Sequence, residues 1–214
     1  MAVVQNPIIG RARGKFGNAV FTTQFGKNVL KTKPLTVADA QSDSQVERRN
    51  AITQIVAIFR AISTATKQGF KSLAVGMSAY NAFSSYNLKE AFTYSGTTPA
   101  TLVPASLLIS KGTIEKVVIA TLVGTDSSAD VVFTFPTTVV GAGQSATDLA
   151  IIVVWNATLD IWEGEISSAA RSTGTATLTM SQAVSTGDVL HGYLGFTNIS
   201  GSAQSDSDYE TDTP

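Results

Sequence analysis

From Pro104 onward the chain repeats one pattern: a run of strand length rich in Val, Ile, Thr and aromatics, then a short cluster of Gly, Ser, Thr and Asp. The runs are "EKVVIATLV", "ADVVFTFP", "LAIIVVWNA", "IWEGEIS", "TATLTMS" and "DVLHGYLGFTN", and the breaks include "GTDSSAD", "GAGQSATD" and "STGD". Six or seven short strands at this spacing over about a hundred residues are what an Ig-like antiparallel β-sandwich needs. The chain has no cysteine, so the disulfide framework of a true immunoglobulin domain is absent and only the architecture is implied. Trp155 and Trp162 flank "NATLD", which reads as a hairpin turn that makes them core or cross-strand residues.

Upstream, "SQVERRNAITQIVAIFRAISTATKQGF" carries helical periodicity. Ser44 and Glu47 have the spacing of a capping box. Ile52, Ile55, Val56, Phe59 and Ile62 recur along one stripe, and Gly69 is placed to end the helix. A second helix over "MSAYNAFSSYNLKEAF" offers Tyr80, Phe83 and Leu88 as contacts, either to the first helix or to a sheet. The fold class expected is therefore α+β, mainly β.

The opening has a different texture. "GRARGKFGNAVFTTQFGKNVLKTKP" (Gly10 to Pro34) holds six Lys or Arg, four Gly and no acid. Its strand-like alternation sets Val20 and Thr22 against Phe21 and Thr23, with a turn at Phe25-Gly26-Lys27-Asn28 before a second strand. So Gly-rich an arm has few large apolar residues to bury and must lie against another surface. The chain ends in "SDSDYETDTP", which contains Asp206, Asp208, Glu210 and Asp212 and reads either as a frayed terminus or as an acidic partner for a basic arm. Four segments result: a basic β arm over residues 1–36, a helical region over 37–98, the sandwich over 99–204 and an acidic tail over 205–214.

Little catalytic material is present. The single histidine, His191, sits inside a strand-like run without a Gly-x-Ser-x-Gly elbow, so the base-plus-nucleophile requirement of hydrolysis is unmet. "DSSAD" lacks the Gly and bidentate Glu of a calcium loop. Glu163 and Glu165 share one side of a strand, as on a solvated face. The Gly-rich opening lacks the Walker spacing. Neither an enzyme nor a cofactor or metal site is expected. A net charge of −1 argues against a whole-protein nucleic-acid footprint, leaving the basic arm, where Arg11, Arg13, Lys15, Lys27, Lys31 and Lys33 could neutralise phosphates and Phe16, Phe21 and Phe25 could stack on bases, though strand packing explains the aromatics equally well. The opening lacks the order of a secretory signal and "LAIIVVW" is too short to span a bilayer, so a soluble chain made in the cytoplasm and without a membrane partner is expected.

The opening "NPIIGRARGKFGNAVFTTQFGKNVLKTKP" with "SQVERRN", together with "LAIIVVWNATLDIWEGEISSAARSTGTATLTM" and "TGDVLHGYLGFTNISGSAQSDSDY", resembles an uncharacterised domain-of-unknown-function family of Bacteroidota and their phages and prophages. It departs from that pattern in the acid-bearing "AQSDSQVERR" helix start and in the extra acids of the tail. The resemblance transfers no catalytic residue and implies an assembly role. The expectation is a virion structural protein of a bacteriophage, a capsid decoration protein, head fibre or tail component, homo-oligomeric and in contact with other virion proteins. Phe16, Phe21 and Phe25 would be its anchors, and Arg11, Arg13 and Lys15 its ionic contacts, with a neighbour's acidic tail as one partner. The alternative is a carbohydrate- or receptor-binding module using Trp155, Trp162, Tyr193 and the loops near Gly141 to Gly143.

Overall fold

The computed structural model describes residues 2–4, 14–24, 27–33, 36, 41–96 and 99–214. Two units form, Met1–Gln41 and Ser42–Pro214. The fold is α+β and mainly β, and every pair of named strands is antiparallel.

The first unit is a four-stranded sheet of β1 (Ala2–Val4), β2 (Gly14–Phe16), β3 (Ala19–Gln24) and β4 (Lys27–Thr32) in the order β1-β4-β3-β2. Phe16 pairs with Ala19, leaving a two-residue turn whose Gly17 has φ 57°, a conformation that a Gly-first hairpin requires. Lys27 and Asn28 belong to β4, paired with Gln24 and Thr23, so they are strand residues rather than turn residues. Lys15, Val20 and Lys31 form one cross-strand row; Phe21 and Leu30 form the next, on the opposite face. Among the described side chains of this unit only Val29 is buried.

The second unit begins with α1 (Asp43–Ala61), α2 (Ser63–Gly69) and α3 (Ala79–Glu90). The capping box does not form. Ser42 is the N-cap and makes no side-chain cap bond, while the Glu47 carboxylate turns inward to accept from the amides of Ser95 at 2.6 Å and Gly96 at 3.0 Å. The first helix also breaks at Ile62, where ψ swings to 34°, before Gly69 ends its continuation. The buried stripe is Ala51, Ile55, Ile58 and Ile62, and Ile52 is exposed. Ala51 supplied too weak a hydropathy signal to fix that phase. On α3, Ser78 caps by accepting from the Asn81 amide at 3.2 Å, and Phe83 is fully buried.

A short ribbon of β5 (Phe92–Thr93) and β6 (Thr101–Leu102) leads to the seven-stranded Ig-like sandwich. Its strands are β7 (Thr121–Gly124), β8 (Asp130–Thr134), β9 (Leu149–Asn156), β10 (Ile161–Ala170), β11 (Thr175–Thr179), β12 (Leu190–Thr197) and β13 (Asp208–Asp212). One sheet runs β10-β9-β12-β13 and the other β11-β8-β7. Helices cover the outer face of the four-stranded sheet, giving three layers and two cores. Ile151 and Val153 of β9 pack with Ile55, Phe70 and Phe83 on the helical side, whereas Ala150, Ile152 and Val154 pack with Phe133 and Phe196 between the sheets. Burial on both faces explains why β9 is apolar without alternation. At Gly192 the sheets come so close that a Cβ would stand 2.7 Å from Leu122 and 2.9 Å from Phe133.

The acidic C-terminal stretch is a sheet strand, neither frayed nor spare. Five of its residues pair with β12, and its carboxylates bind within the unit: Asp206 to Lys111 and the Gly112 amide, Asp208 to Lys116 and the Ile119 amide, Asp212 to the Gly124 amide. Amides at the sheet edge lack ladder partners, and carboxylates supply strong acceptors for them.

Candidate functional site

The turn between β9 and β10 sets the geometry. Asn156 Oδ1 accepts from the amides of Thr158 and Leu159, its Nδ2 donates to Asp188 at 2.8 Å, and Asp160 closes the turn with φ 54°. This places Trp155 opposite Trp162, with ring centroids 4.9 Å apart and planes 7° from parallel. His191, the next residue in the row, stacks on the other face of Trp155 at 4.8 Å. Tyr209 on β13 follows at 5.9 Å from His191, its hydroxyl 2.8 Å from Nδ1. Trp162, Trp155 and His191 thus form one cross-strand row on the face turned toward the helices, and Tyr209, the register partner of Tyr193, extends it diagonally onto a fourth strand.

Tyr193, two residues along β12 from His191 and 6.2 Å from the Trp162 ring and 5.4 Å from that of Tyr209, is fully buried and donates its hydroxyl to the Pro104 carbonyl at 3.1 Å. It therefore offers no recognition surface, contrary to the expectation from its sequence context: its register partner Val153 faces the helical core. Burial pushes the Tyr193 hydroxyl well above the ordinary tyrosine range and, with Glu210 adding, raises that of Tyr209. Burial lowers the His191 pKa. Each shift favours the neutral ring.

A cleft of about 460 Å³ opens at the Trp155–Trp162 end of the row. Helix α1 supplies one wall through Gln54, Ala57, Ile58 and Ala61. Leu102, Asp160 and the two indoles complete it. The lining holds one carboxylate, one carboxamide and two indoles, a set that can hold and orient a ligand but lacks a nucleophile with an adjacent base.

A family model described as a family of unknown function, DUF6266, matches residues 11–210. The chain belongs to that family. No curated protein matches the DUF6266 chain. Among solved structures it is similar to the twitchin kinase region from C. elegans (Fn31-NL-kin-CRD-Ig26), with 14% identity over 49% of this chain and 16% of that one. The TM-score is 0.29, a likeness from which nothing follows about the DUF6266 chain.

Of the arm residues singled out in the DUF6266 sequence, Arg11, Arg13 and Phe25 lie outside the described residues. Lys15 is exposed on β2, Phe16 pairs with Ala19, and Phe21 is half-buried opposite Leu30. The Gly141 to Gly143 loop binds Glu115, whose carboxylate accepts from the Ala142 amide at 2.9 Å, and it does not line the cleft. Asp126 and Asp130 of "DSSAD" hold turns, accepting from the Thr186 amide and the Thr179 hydroxyl. Among the described residues no group of three or more His, Cys, Asp or Glu could hold a metal, and no helix is long and apolar enough to cross a membrane. Sequence reading found both tryptophans but missed Gln54, Ala57, Ala61 and Asp160. Asp160 was visible as the end of "NATLD"; the α1 residues carried no signal, because the cleft needs the helix phase and its docking.

Proposed function

We propose that this DUF6266 chain is a non-enzymatic structural subunit of a bacteriophage virion, a head-decoration, head-fibre or tail component held through its N-terminal β unit and homo-oligomeric on the particle. The observation that carries this reading is the poverty of that unit's own core: four strands of three to six residues bury one described side chain, Val29. Ordering a residue costs about 1–2 kcal/mol of backbone entropy, and so small a sheet offsets little of it alone. Its β1 and β2 edges are suited to strand addition by another subunit. Phe21 and Leu30 mark the face for an apolar holder, while Lys15 and Lys31 mark the opposite face for an acidic one. The acidic tail of a neighbour is not that partner, since Asp206, Asp208 and Asp212 already bind within their own unit. The phage setting and the Bacteroidota host rest on the resemblance set out from the sequence.

The test compares the solution mass of the full chain with that of residues 42–214 by light scattering at low and high salt, alongside mass spectrometry of purified particles. Assembly of the full chain, its loss in the truncated but folded unit, and the chain's presence in particles are the expected results. A truncated unit that assembles normally overturns the anchoring role, and absence from particles overturns the virion assignment.

A further inference from the structure

We propose that the cleft between α1 and the β9–β10 hairpin binds a neutral sugar unit of a glycan, stacked on Trp162 and hydrogen-bonded to Asp160. The inference concerns a different surface from the assembly role and does not depend on it.

Stacking comes first. Trp155 has Trp162 on one face at 4.9 Å and His191 on the other at 4.8 Å, so neither face of its ring can receive a ligand. Trp162 is different. It stands on β10, the edge strand of the sheet, and the rings near it, Trp155 at 4.9 Å and Tyr193 at 6.2 Å, both come from β9 and β12 on one side of it, with no strand on the other. Trp155 acts as a backing plate that fixes the Trp162 plane before any ligand arrives, which lowers the ordering cost of binding.

The polar groups around this indole match hydroxyls. Asp160 Oδ1 accepts from Trp155 Nε1 at 3.3 Å, which leaves Oδ2 as an acceptor. Gln54 donates its Nε2 to the Ala100 carbonyl at 3.1 Å, which leaves its Oε1 as a second acceptor. The Trp162 indole N–H has no partner among the described residues and is the available donor. Acceptors therefore dominate, and no Lys or Arg lines the cleft. Phosphate, sulfate and carboxylate ligands would meet a carboxylate without a counter-charge; a polyol meets acceptors for its hydroxyl protons.

Shape agrees with the chemistry. Ala57 and Ala61 stand four residues apart on α1, on one helix face, where their small side chains leave the space between the helix and the indoles unfilled. With Ile58 and Leu102 they present an apolar wall for the C–H face of a pyranose. About 460 Å³ falls within the roughly 300–1,000 Å³ of ligand pockets and accommodates one or two sugar rings.

The chain has two tryptophans and both line this cleft, so the indole fluorescence of the full-length protein reports on it directly. The probes are cello-, malto-, manno-, xylo- and chitotetraose, followed by fluorescence and by isothermal calorimetry, with tetramethylammonium and a sulfated tetrasaccharide as charged comparisons. A saturable response to at least one neutral tetrasaccharide is expected. It should weaken about tenfold or more in Trp162→Ala, several-fold in Asp160→Asn, and least in Trp162→Phe, which keeps a ring for stacking and guards against loss of fold. No saturable response to any neutral probe up to about 5 mM, equal affinity in folded Trp162→Ala, or a preference for either charged probe overturns the proposal.

Discussion

The Nδ1 of His191 and the hydroxyl of Tyr209 lie 2.8 Å apart across β12 and β13, joining the only histidine in the chain to the strand formed by its acidic end. Burial between Trp155 and Tyr209 lowers the His191 pKa, so the folded state favours neutral imidazole. An unfolded histidine titrates near about 6.5 and then takes up a proton that the folded one resists. Stability from this residue is therefore complete above that pH and is lost as pH falls from it through the lowered folded value. Urea midpoints measured from pH 8 to 5 should decline over the acidic part of that range, and His191→Gln should flatten that part of the curve. An unchanged slope in the variant would show that other groups set it.

Glu47 is buried on α1 and ties the loop after β5 to the helix through the Ser95 and Gly96 amides. Hydrogen bonds to a carboxylate contribute about 1.5–3 kcal/mol. Glu47→Ala should therefore destabilise the protein by about 2–3 kcal/mol in urea titrations at neutral pH. Glu47→Gln, which retains one acceptor oxygen, should cost about half as much.

Arg171 is buried with an incomplete set of partners. Its Nη2 donates to the Thr138 carbonyl at 2.8 Å and its guanidinium lies 5.6 Å from the Phe196 ring centroid, but Nε and Nη1 have no partner among the described residues. Burial lowers its pKa and the charge of Asp148, also buried, pulls it back up. Removing one charge leaves the other without compensation, so Arg171→Met should cost about 3 kcal/mol. Adding Asp148→Asn should recover part of that loss, giving a double-mutant coupling of about 1 kcal/mol by calorimetric melting. Strict additivity would mean that the two charges act independently.

Much of this fold is legible in the amino-acid sequence. The six strand-like runs became β7 to β12, because alternation and turn residues act over a few neighbours. The unalternating "LAIIVVW" reads in the sequence only as a strand-length run; that both its faces are covered emerges from the helices docked on one side and the second sheet on the other. What stayed hidden depends on distant partners. Glu47 has capping-box spacing yet serves Ser95 and Gly96, 48 and 49 residues away. "SDSDYETD" looked like solvent-exposed acid because the amides it binds, from Gly112 to Gly124, lie about ninety residues earlier. Of the cleft, Trp155 and Trp162 were visible as a hairpin pair, whereas the choice between them as a platform requires knowing which ring faces are covered.

The same distant contacts make the C-terminal strand structural. Ending the chain at Ser207 would expose the outer edge of β12 along five paired positions and remove the Asp208 and Asp212 carboxylates from the amides of Ile119 and Gly124, which they accept at 2.8 and 2.7 Å. It would also free the Gly187 amide, which donates to the Pro214 carbonyl at 2.7 Å. The carboxylate contacts join the edges of the two sheets, so their loss should loosen the sandwich as a whole. Asp208→Ala and Asp212→Ala should each cost about 1–3 kcal/mol, lowering the melting temperature by a few degrees per kcal/mol, and the truncation should cost more than both together. Because two of these contacts run to backbone amides rather than to mobile cations, the penalty of Asp212→Ala should persist in high salt, while the Lys116 share of the Asp208 contribution is screened. A truncated chain with an unchanged melting temperature would return the tail to the role of a solvated terminus and leave its charges free for a neighbouring subunit.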